Sequence, residues 1–320
     1  MNAIDEIKEA IDKFQTFLIS THIHADGDAI ASELALFRLL VNLGKKAYII
    51  NDTPTPAVYR SLPDAENIRE FTGRLPPGIE VLFAIDCPSL ERLGRVGEAL
   101  PEGIFIINID HHPPLAPFAD IHWQEPHASS TGELLFRLFH GNYEIDEKMA
   151  ENLYVAILTD TGRFTFANTT PESLQAAAQL VSLGASPQVI GQKLYQTFSV
   201  AQLKIRSRTL ASLEKSADGK IAWASLTQKD FEELGIGPED TQGFSDIPRS
   251  LAGVEVGVLF RELTGGKIKV SLRSKGNVDV NEVARKFGGG GHPEAAGCIL
   301  EGTLNEIQKK IIAALRETLE

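Results

Sequence analysis

The sequence is poor in cysteine. Cys87 and Cys298 are the only two, they lie far apart, and neither stands in a metal-type spacing. That excludes a disulfide framework and a thiolate zinc site, and it predicts two reduced thiols in a cytoplasmic chain. Long apolar runs are missing too, and no stretch approaches the length needed to cross a bilayer. The N-terminal stretch is polar, with Ile4, Ile7, Ile11 and Phe14 at helical spacing. It has no export-signal core, so neither export nor membrane association is expected. Basic charge is in deficit: 31 Lys and Arg against 43 Asp and Glu leave a net charge of −12. Tracking a long nucleic-acid duplex needs many Lys and Arg on phosphates. That partner is therefore excluded, whereas a small anion met locally by metals and a few basic side chains is not. Low-complexity tracts and internal repeats are absent.

At 320 residues the chain is long enough for two domains with their own cores. Apolar strands at 16–20, 46–51, 81–85 and 104–109 alternate with helices at 29–43, 132–138 and 147–158, and Ser130 with Glu133 reads as a capping box. Continuous apolar strands separated by helices predict a parallel sheet covered on both faces, with ligands at the strands' carboxyl ends. After about residue 203 the texture changes. Strands at 220–225, 254–261 and 267–273 suit a mixed sheet, with helices at 279–287 and 304–319. The expected architecture is α/β: a parallel-sheet domain over 1–184 with helices on both faces, a linker helix region over 185–203, and a smaller α/β domain with a mixed sheet over 204–320.

Chemistry-bearing residues gather where the strands end. Phe17-Leu18-Ile19 runs into His22-Ile23-His24-Ala25-Asp26-Gly27-Asp28. Alone, Asp-Gly-Asp is a common turn in which Asp28 could cap the next helix. Asp86 ends Val-Leu-Phe-Ala-Ile; an acid there is often a turn former, but among other ligands it can bridge two cations. Asp110-His111-His112 follows an apolar strand and precedes Pro113-Pro114, which should fix its backbone. Asp160, in Thr-Asp-Thr-Gly-Arg-Phe, opposes a helix dipole and calls for a compensating cation. His22, Asp26, Asp28, Asp86, His111 and Asp160 together suffice for two octahedral cations. Mixed imidazole and carboxylate ligation suits Mn²⁺ best, with Mg²⁺, Co²⁺ or Fe²⁺ as alternatives. Two such ions about 3.5–4 Å apart would hold a water between them and clamp a phosphoryl group for in-line attack. The gap at Gly27 would let Asp26 and Asp28 face different ions. In the second half, Gly288, Gly289, Gly290 and Gly291 before His292 suit either phosphate binding or a hinge. Arg273-Ser274 closes a strand just before them, where an Arg can fork onto phosphate. His24, His122, His127 and His140 read as structural or surface residues, and Phe164, Phe166 and Tyr195 as core.

As an ordered set, these motifs resemble the DHH phosphoesterase superfamily in the branch with a DHH-associated C-terminal domain. The set comprises His-x3-Asp-x-Asp, an Asp after a strand, Asp-His-His, the Asp of T-D-T-G-R-F, and G-G-G-G-H-x-x-A-A-G. The compact length is similar to the nanoRNase/pAp phosphatase type rather than the longer RecJ exonucleases. The resemblance implies two Mn²⁺ ions, one held by His22, Asp26 and Asp86, the other by Asp28, Asp86, His111 and Asp160. Catalysis would involve Asp86 as the bridge and His112 on the scissile phosphate. Arg163, Arg273, Ser274, Gly288–Gly291 and His292 would grip the nucleotide. Family members commonly carry Asn-Pro where this chain has His24-Ala25, and Cys87 would only pack beside Asp86. The expected activity is hydrolysis of short oligoribonucleotides and of 3′-phosphoadenosine 5′-phosphate (pAp) by two-metal hydroxide attack, in a chain that could form a homodimer. The alternatives are a linear or cyclic dinucleotide phosphodiesterase in signalling and a nucleotide-binding protein without catalysis.

Overall fold

The computed structural model describes residues 2–113, 115–241 and 243–319. Pro114, half of the Pro-Pro pair expected to fix the backbone after His112, lies outside the described residues. The chain divides into two compact units between Gln196 and Thr197. Within the expected linker region, the helix Pro187–Tyr195 buries Ile190 and Leu194 in the first core, while the helix Val200–Ala211 buries Ile205 in the second.

The first unit is built on six parallel strands: β1 (Thr16–Thr21), β2 (Lys46–Asn51), β3 (Ile68–Glu70), β4 (Val81–Ile85), β5 (Phe105–Asp110) and β6 (Ile121–Gln124), in the order β3-β2-β1-β4-β5-β6. Alternate residues go to opposite faces. Phe17, Ile19, Phe83, Ile85, Ile107 and Ile109 pack under the helices Gly27–Asn42, Thr131–Phe139 and Glu147–Asp160. Leu18, Leu82 and Ala84 face the other way, against Leu93 and Val96. Fully burying a side chain of this size contributes about 1.5–3 kcal/mol, so a strand apolar on both faces is stable only when both are covered. The cover is uneven: on the second face it comes from loops and the short helical turns Leu90–Leu93 and Arg95–Glu98. β3 and β6 add short flanking strands to those expected.

Two features of this sheet position the site. Thr21 pairs with Ile85, and Ile85 with Ile109, so β1, β4 and β5 end at one level. The winding direction also reverses between β1 and β4, which makes their carboxyl ends the switch point where ligands collect in open α/β sheets. Close helix packing then sets the approach of the loops. A Cβ on Gly27 would overlap Thr159, and one on Gly132 would overlap Ala156. Gly27 is thus needed for helix contact, beyond its expected role of spacing two carboxylates.

The second unit holds a mixed sheet of β7 (Glu214–Lys215), β8 (Ile221–Leu226), β9 (Val256–Leu263), β10 (Lys267–Ser274), β11 (Gly290–His292) and β12 (Ala295–Glu301), ordered β11-β12-β10-β9-β8-β7. Only β8 and β9 run parallel. The helices Val280–Lys286 and Leu304–Leu319 cover the face carrying Val258, Phe260, Val270 and Leu272. The tetraglycine run is not one loop. Gly288 and Gly289 end a helix through bonds to the carbonyls of Arg285 and Ala284, and Gly290 and Gly291 pair with β12. Among the described residues, no helix is long and apolar enough to cross a membrane.

Candidate metal centre

Asp86 follows β4 in a left-handed conformation, φ 53°. That conformation costs an ordinary L-residue roughly 1–2 kcal/mol, less for Asp or Asn. The fully buried Asn108, on neighbouring β5, secures the turn. Its Nδ2 donates to the carbonyls of Ala84 (3.1 Å) and Cys87 (2.9 Å), on either side of Asp86. The Asp86 N–H donates to the Ile109 carbonyl at 2.9 Å. A comparable device supports the first loop. Thr21 N–H donates to Asn51 Oδ1 at 3.2 Å, and Asn51 Nδ2 donates to the fully buried Glu33 at 2.8 Å, tying the end of β1 to the helix that starts at Gly27. Burial pushes the Glu33 carboxyl well above its usual range, partly offset by Asn51.

The histidines are oriented by their backbone partners. His22 Nδ1 lies 2.9 Å from the Ile23 carbonyl and His111 Nδ1 lies 3.2 Å from the Ala128 carbonyl. A carbonyl only accepts, so each Nδ1 carries a proton and each Nε2 is the nitrogen turned toward the carboxylates. His22 Nε2 stands 3.7 Å from Asp86 Oδ2. His111 Nε2 stands 3.6 Å from Asp86 Oδ1, 3.7 Å from Asp28 Oδ2 and 3.6 Å from Asp160 Oδ2. These gaps exceed a hydrogen bond. They suit ligands sharing one octahedral ion, whose donors, each about 2.1 Å from the metal, lie about 3–4 Å apart. His22, Asp26 and Asp86 form one such group and Asp28, Asp86 and His111 another. The donor set therefore fits two divalent cations.

Surrounding groups fix the carboxylates. Asp26, not Asp28, caps the helix, accepting from Ala29 N–H. Asp28 instead accepts from Thr131 N–H (2.6 Å) and Gly132 N–H (2.9 Å), at the positive end of the helix Thr131–Phe139. Thr131 Oγ1 donates to Asp86 Oδ1 at 2.9 Å, and Asn168 donates to Asp160 Oδ2 at 3.1 Å. The expected capping box is half formed: Ser130 Oγ accepts from Glu133 N–H, but the Glu133 carboxylate reaches back to Ser129 N–H. His112 Nδ1 lies 2.7 Å from Asp110 Oδ1. Asp110, also bound by Gln124, thus orients the ring. Asp110 belongs to a motif without an expected role of its own, and no role is expected from sequence for Asn108, Asn51, Glu33, Thr131 or Asn168. Asn108 carries a usable signal as a polar residue inside the apolar run Phe105–Ile109, and Glu33 does so together with Ser32 inside the buried helical stretch 29–36.

The titrating groups balance around a need for positive charge. Burial opposes ionisation of His111, but the carboxylates of Asp160, Asp86 and Asp28 prevail and hold its pKa at about 10. Burial and the neighbouring Asp86 charge raise Asp28 well above the carboxylate range. Burial lifts Asp160 to about 6 despite His111. Burial also works on Asp86, yet its contacts with His22, His112 and His111 keep it well below the usual value. A ring that binds its proton more tightly when folded adds stability that is complete below pH 6.5 and lost as pH rises through about 10. In EDTA, the melting temperature is therefore expected to fall as pH climbs through that window, and saturating Mn²⁺ should abolish the fall. A flat profile in EDTA would contradict this charge balance.

The residues expected to bind substrate belong to both units. Exposed Arg163 stacks over the Tyr195 ring, 5.1 Å from its centroid, in a turn where Gly162, Arg163 and Phe164 are all left-handed. Phe164 and Tyr195 pack partly buried against the first core, as expected. In the second unit Arg273 is half-buried, and its Nη1 donates to the Leu272 carbonyl. Ser274 is fully buried and accepts from Gly276 and Val278 N–H, so its hydroxyl serves the following turn. Gly290, Gly291 and His292 lie on the edge strand β11.

A parallel sheet whose switch point gathers imidazoles and carboxylates around shared gaps is the arrangement of a metal-dependent phosphoesterase. Residues 16–157 match the DHH family, N-terminal domain, and residues 218–319 match the DHHA1 domain. The bifunctional oligoribonuclease and PAP phosphatase NrnA of Thermus thermophilus is 35% identical, over 100% of this chain and 94% of its own. The Bacillus subtilis protein of the same name is 30% identical, over 91% of each. The crystal structure of an exopolyphosphatase-related protein from Bacteroides fragilis superposes with a TM-score of 0.90 at 30% identity, covering 98% of this chain and 96% of that one. The chain belongs to the DHH family, as the motif set implied.

Proposed function

We propose that the chain shortens oligoribonucleotides and removes a phosphate from pAp, using two divalent cations, Mn²⁺ by preference and Mg²⁺ or Co²⁺ as substitutes. The names of the Thermus and Bacillus relatives support the substrates. The observation that carries the two-cation reading is the division of Asp86: Oδ2 faces His22 while Oδ1 faces His111, so one carboxylate offers an oxygen to each ligand group. His22, Asp26 and Asp86 would hold one ion, and Asp28, Asp86, His111 and Asp160 the other. When bound, the ions supply Lewis-acid charge and an activated water. The chain's own residues do the rest. Thr131 and Asn168 keep Asp86 and Asp160 aimed. Asp110 holds the Nδ1 proton of His112, which assigns Nε2 to a phosphoryl oxygen where charge develops. Arg163, Arg273, the Gly288–Gly291 run and His292 are assigned to the remainder of the nucleotide, with the second unit as the substrate-binding domain.

Product analysis of an end-labelled five-nucleotide RNA with Mn²⁺, run beside pAp, pApA, pGpG and cyclic di-AMP, tests this assignment. Stepwise shortening of the RNA and phosphate release from pAp are expected, both abolished by EDTA. Turnover confined to cyclic or linear dinucleotides would replace the substrate assignment with a signalling one. Tight pAp binding without phosphate release in added Mn²⁺ would replace it with a non-catalytic binder.

A further inference from the structure

Beside the metal loop, within the first unit, lies a cavity of about 320 Å³ walled by the segment that follows β2 and leads into β3. Pro54, Ala65 and Ile68 give it apolar surface, and Arg60, Glu66 and Glu70 give it charge of both signs. Small-ligand sites run from roughly 300 to 1,000 Å³ and pair apolar walls with a few polar groups, so this cavity suits a small ligand. Its place in the sheet is fixed by strand register. Ile68 continues the cross-strand row of Ile19 and Ile49, so Ile68 and Glu70 lie on the face covered by the helix Gly27–Asn42. Glu70 pairs with Asn51, which in turn accepts from the Thr21 N–H at the end of β1. Neighbouring strands run about 4.8 Å apart, which puts the Glu70 backbone about 10 Å from Thr21, the residue before His22. Thr53, also in the cavity wall, accepts from the His24 N–H at 2.9 Å, midway between His22 and Asp26. One ligand can therefore reach both the cavity and the metal centre.

The cavity is preformed. Asp64, buried and left-handed at φ 65°, takes Lys148 at 3.0 Å and Arg38 at 3.7 Å, and Asn152 Nδ2 donates to the Pro63 carbonyl at 3.2 Å. These contacts brace the wall that carries Ala65 and Glu66. A non-glycine residue held in that conformation stores strain, and such strain concentrates at ligand clamps. Arg60 Nε donates to the Thr55 carbonyl at 3.0 Å, which anchors the guanidinium at one nitrogen and leaves Nη1 and Nη2 as donors. The charges then choose among ligands. Two carboxylates disfavour a small anion, and the guanidinium disfavours a bare cation. A flat, uncharged ring with donors on one edge and acceptors on the next meets both. Guanine offers N1–H and N2–H side by side to a carboxylate, and O6 and N7 to an arginine. Adenine, cytosine and uracil each lack at least one of those edges. We propose that this cavity is a guanine pocket that seats one base of the substrate beside the metal centre. Glu66 or Glu70 takes the N1–H and N2–H edge, Arg60 takes O6 and N7, and Pro54 and Ile68 lie against the ring. Its role as a substrate subsite rests on the phosphoesterase reading above; its binding of guanine does not.

The two are separated by working first in EDTA, where metal-dependent turnover cannot contribute. GMP and AMP are titrated by calorimetry into the wild type, into Arg60→Met, and into a chain carrying both Glu66→Gln and Glu70→Gln. The wild type is expected to bind GMP about tenfold more tightly than AMP, the scale of one bidentate base contact, and each variant should bring that ratio close to one. All three side chains are exposed, so the variants should melt with the wild type when no ligand is present. With Mn²⁺ restored, KM for pGpG should lie about tenfold below KM for pApA in the wild type, and the gap should close in the variants. Equal affinity of the wild type for GMP and AMP, or a guanine preference that survives in both variants, would overturn the proposal. Selective GMP binding by a wild type that hydrolyses neither dinucleotide would sustain the pocket and sink the phosphoesterase reading. Hydrolysis of both dinucleotides at equal KM, with no preference for GMP, would do the reverse.

Discussion

Asp86→Asn should lower kcat on the order of 10³-fold or more, the scale seen when a group central to transition-state charge is removed. Asparagine is the informative replacement. It accepts the left-handed backbone that Asp86 adopts at φ 53°, so the turn is retained, whereas alanine adds backbone strain. It also preserves the Oδ1 acceptor for Thr131. What it removes is the charge and one of the two oxygens that face His22 and His111. Stability without metal should change little, since Asp28 and Asp160 lose a repulsive neighbour while the histidines lose an attractive one. Stabilisation by Mn²⁺ should shrink sharply. Measuring kcat together with melting temperature, with and without Mn²⁺, checks both halves; a variant with wild-type turnover in Mn²⁺ would remove Asp86 from the reaction.

Asn108→Ala should be nearly as damaging without touching metal or substrate. It strips the donor from the carbonyls of Ala84 and Cys87, both inside a fully apolar layer. Each buried carbonyl left unsatisfied costs about 1–3 kcal/mol. Freed from its strap, the Asp86 turn can relax from its left-handed state, and loss of such outer support typically costs about 10–100-fold in metal affinity or activity. Asn108→Asp is closer in shape but should be worse than alanine in stability at neutral pH, because a carboxylate would face two carbonyl oxygens. Chemical denaturation together with Mn²⁺ titration of both variants tests the ranking. Equal stability of the aspartate variant and the wild type would mean that the amide N–H groups do not hold this turn.

The carboxyl-edge placement of His22, Asp86 and Asp110–His112 is legible in the sequence because buried parallel strands read as unbroken apolar runs. Phe17-Leu18-Ile19 and Val81–Ile85 each stop abruptly at a polar residue, and the register that levels them follows from pairing neighbours in one sheet. What holds the site residues in place is less legible. Asp28 could cap a helix by sequence alone, and only the approach of Thr131 and Gly132, more than a hundred residues away, gives it another partner. Asn51 and Glu33 meet across strand and helix at a spacing no local period encodes. The tetraglycine run has no side chains to alternate, so neither its helix-ending half nor its strand half could be recognised. β3 is too short for a period to register, at three residues.

Counting the ions tests the account most directly. Metal-free protein would be titrated with Mn²⁺, followed by electron paramagnetic resonance, beside Asp86→Asn. Two ions per chain are expected, with the spectrum of an exchange-coupled pair in the wild type and no coupling in the variant. A single ion per chain, or two ions whose spectrum is the same with and without the Asp86 carboxylate, would contradict a centre in which that side chain joins the two halves.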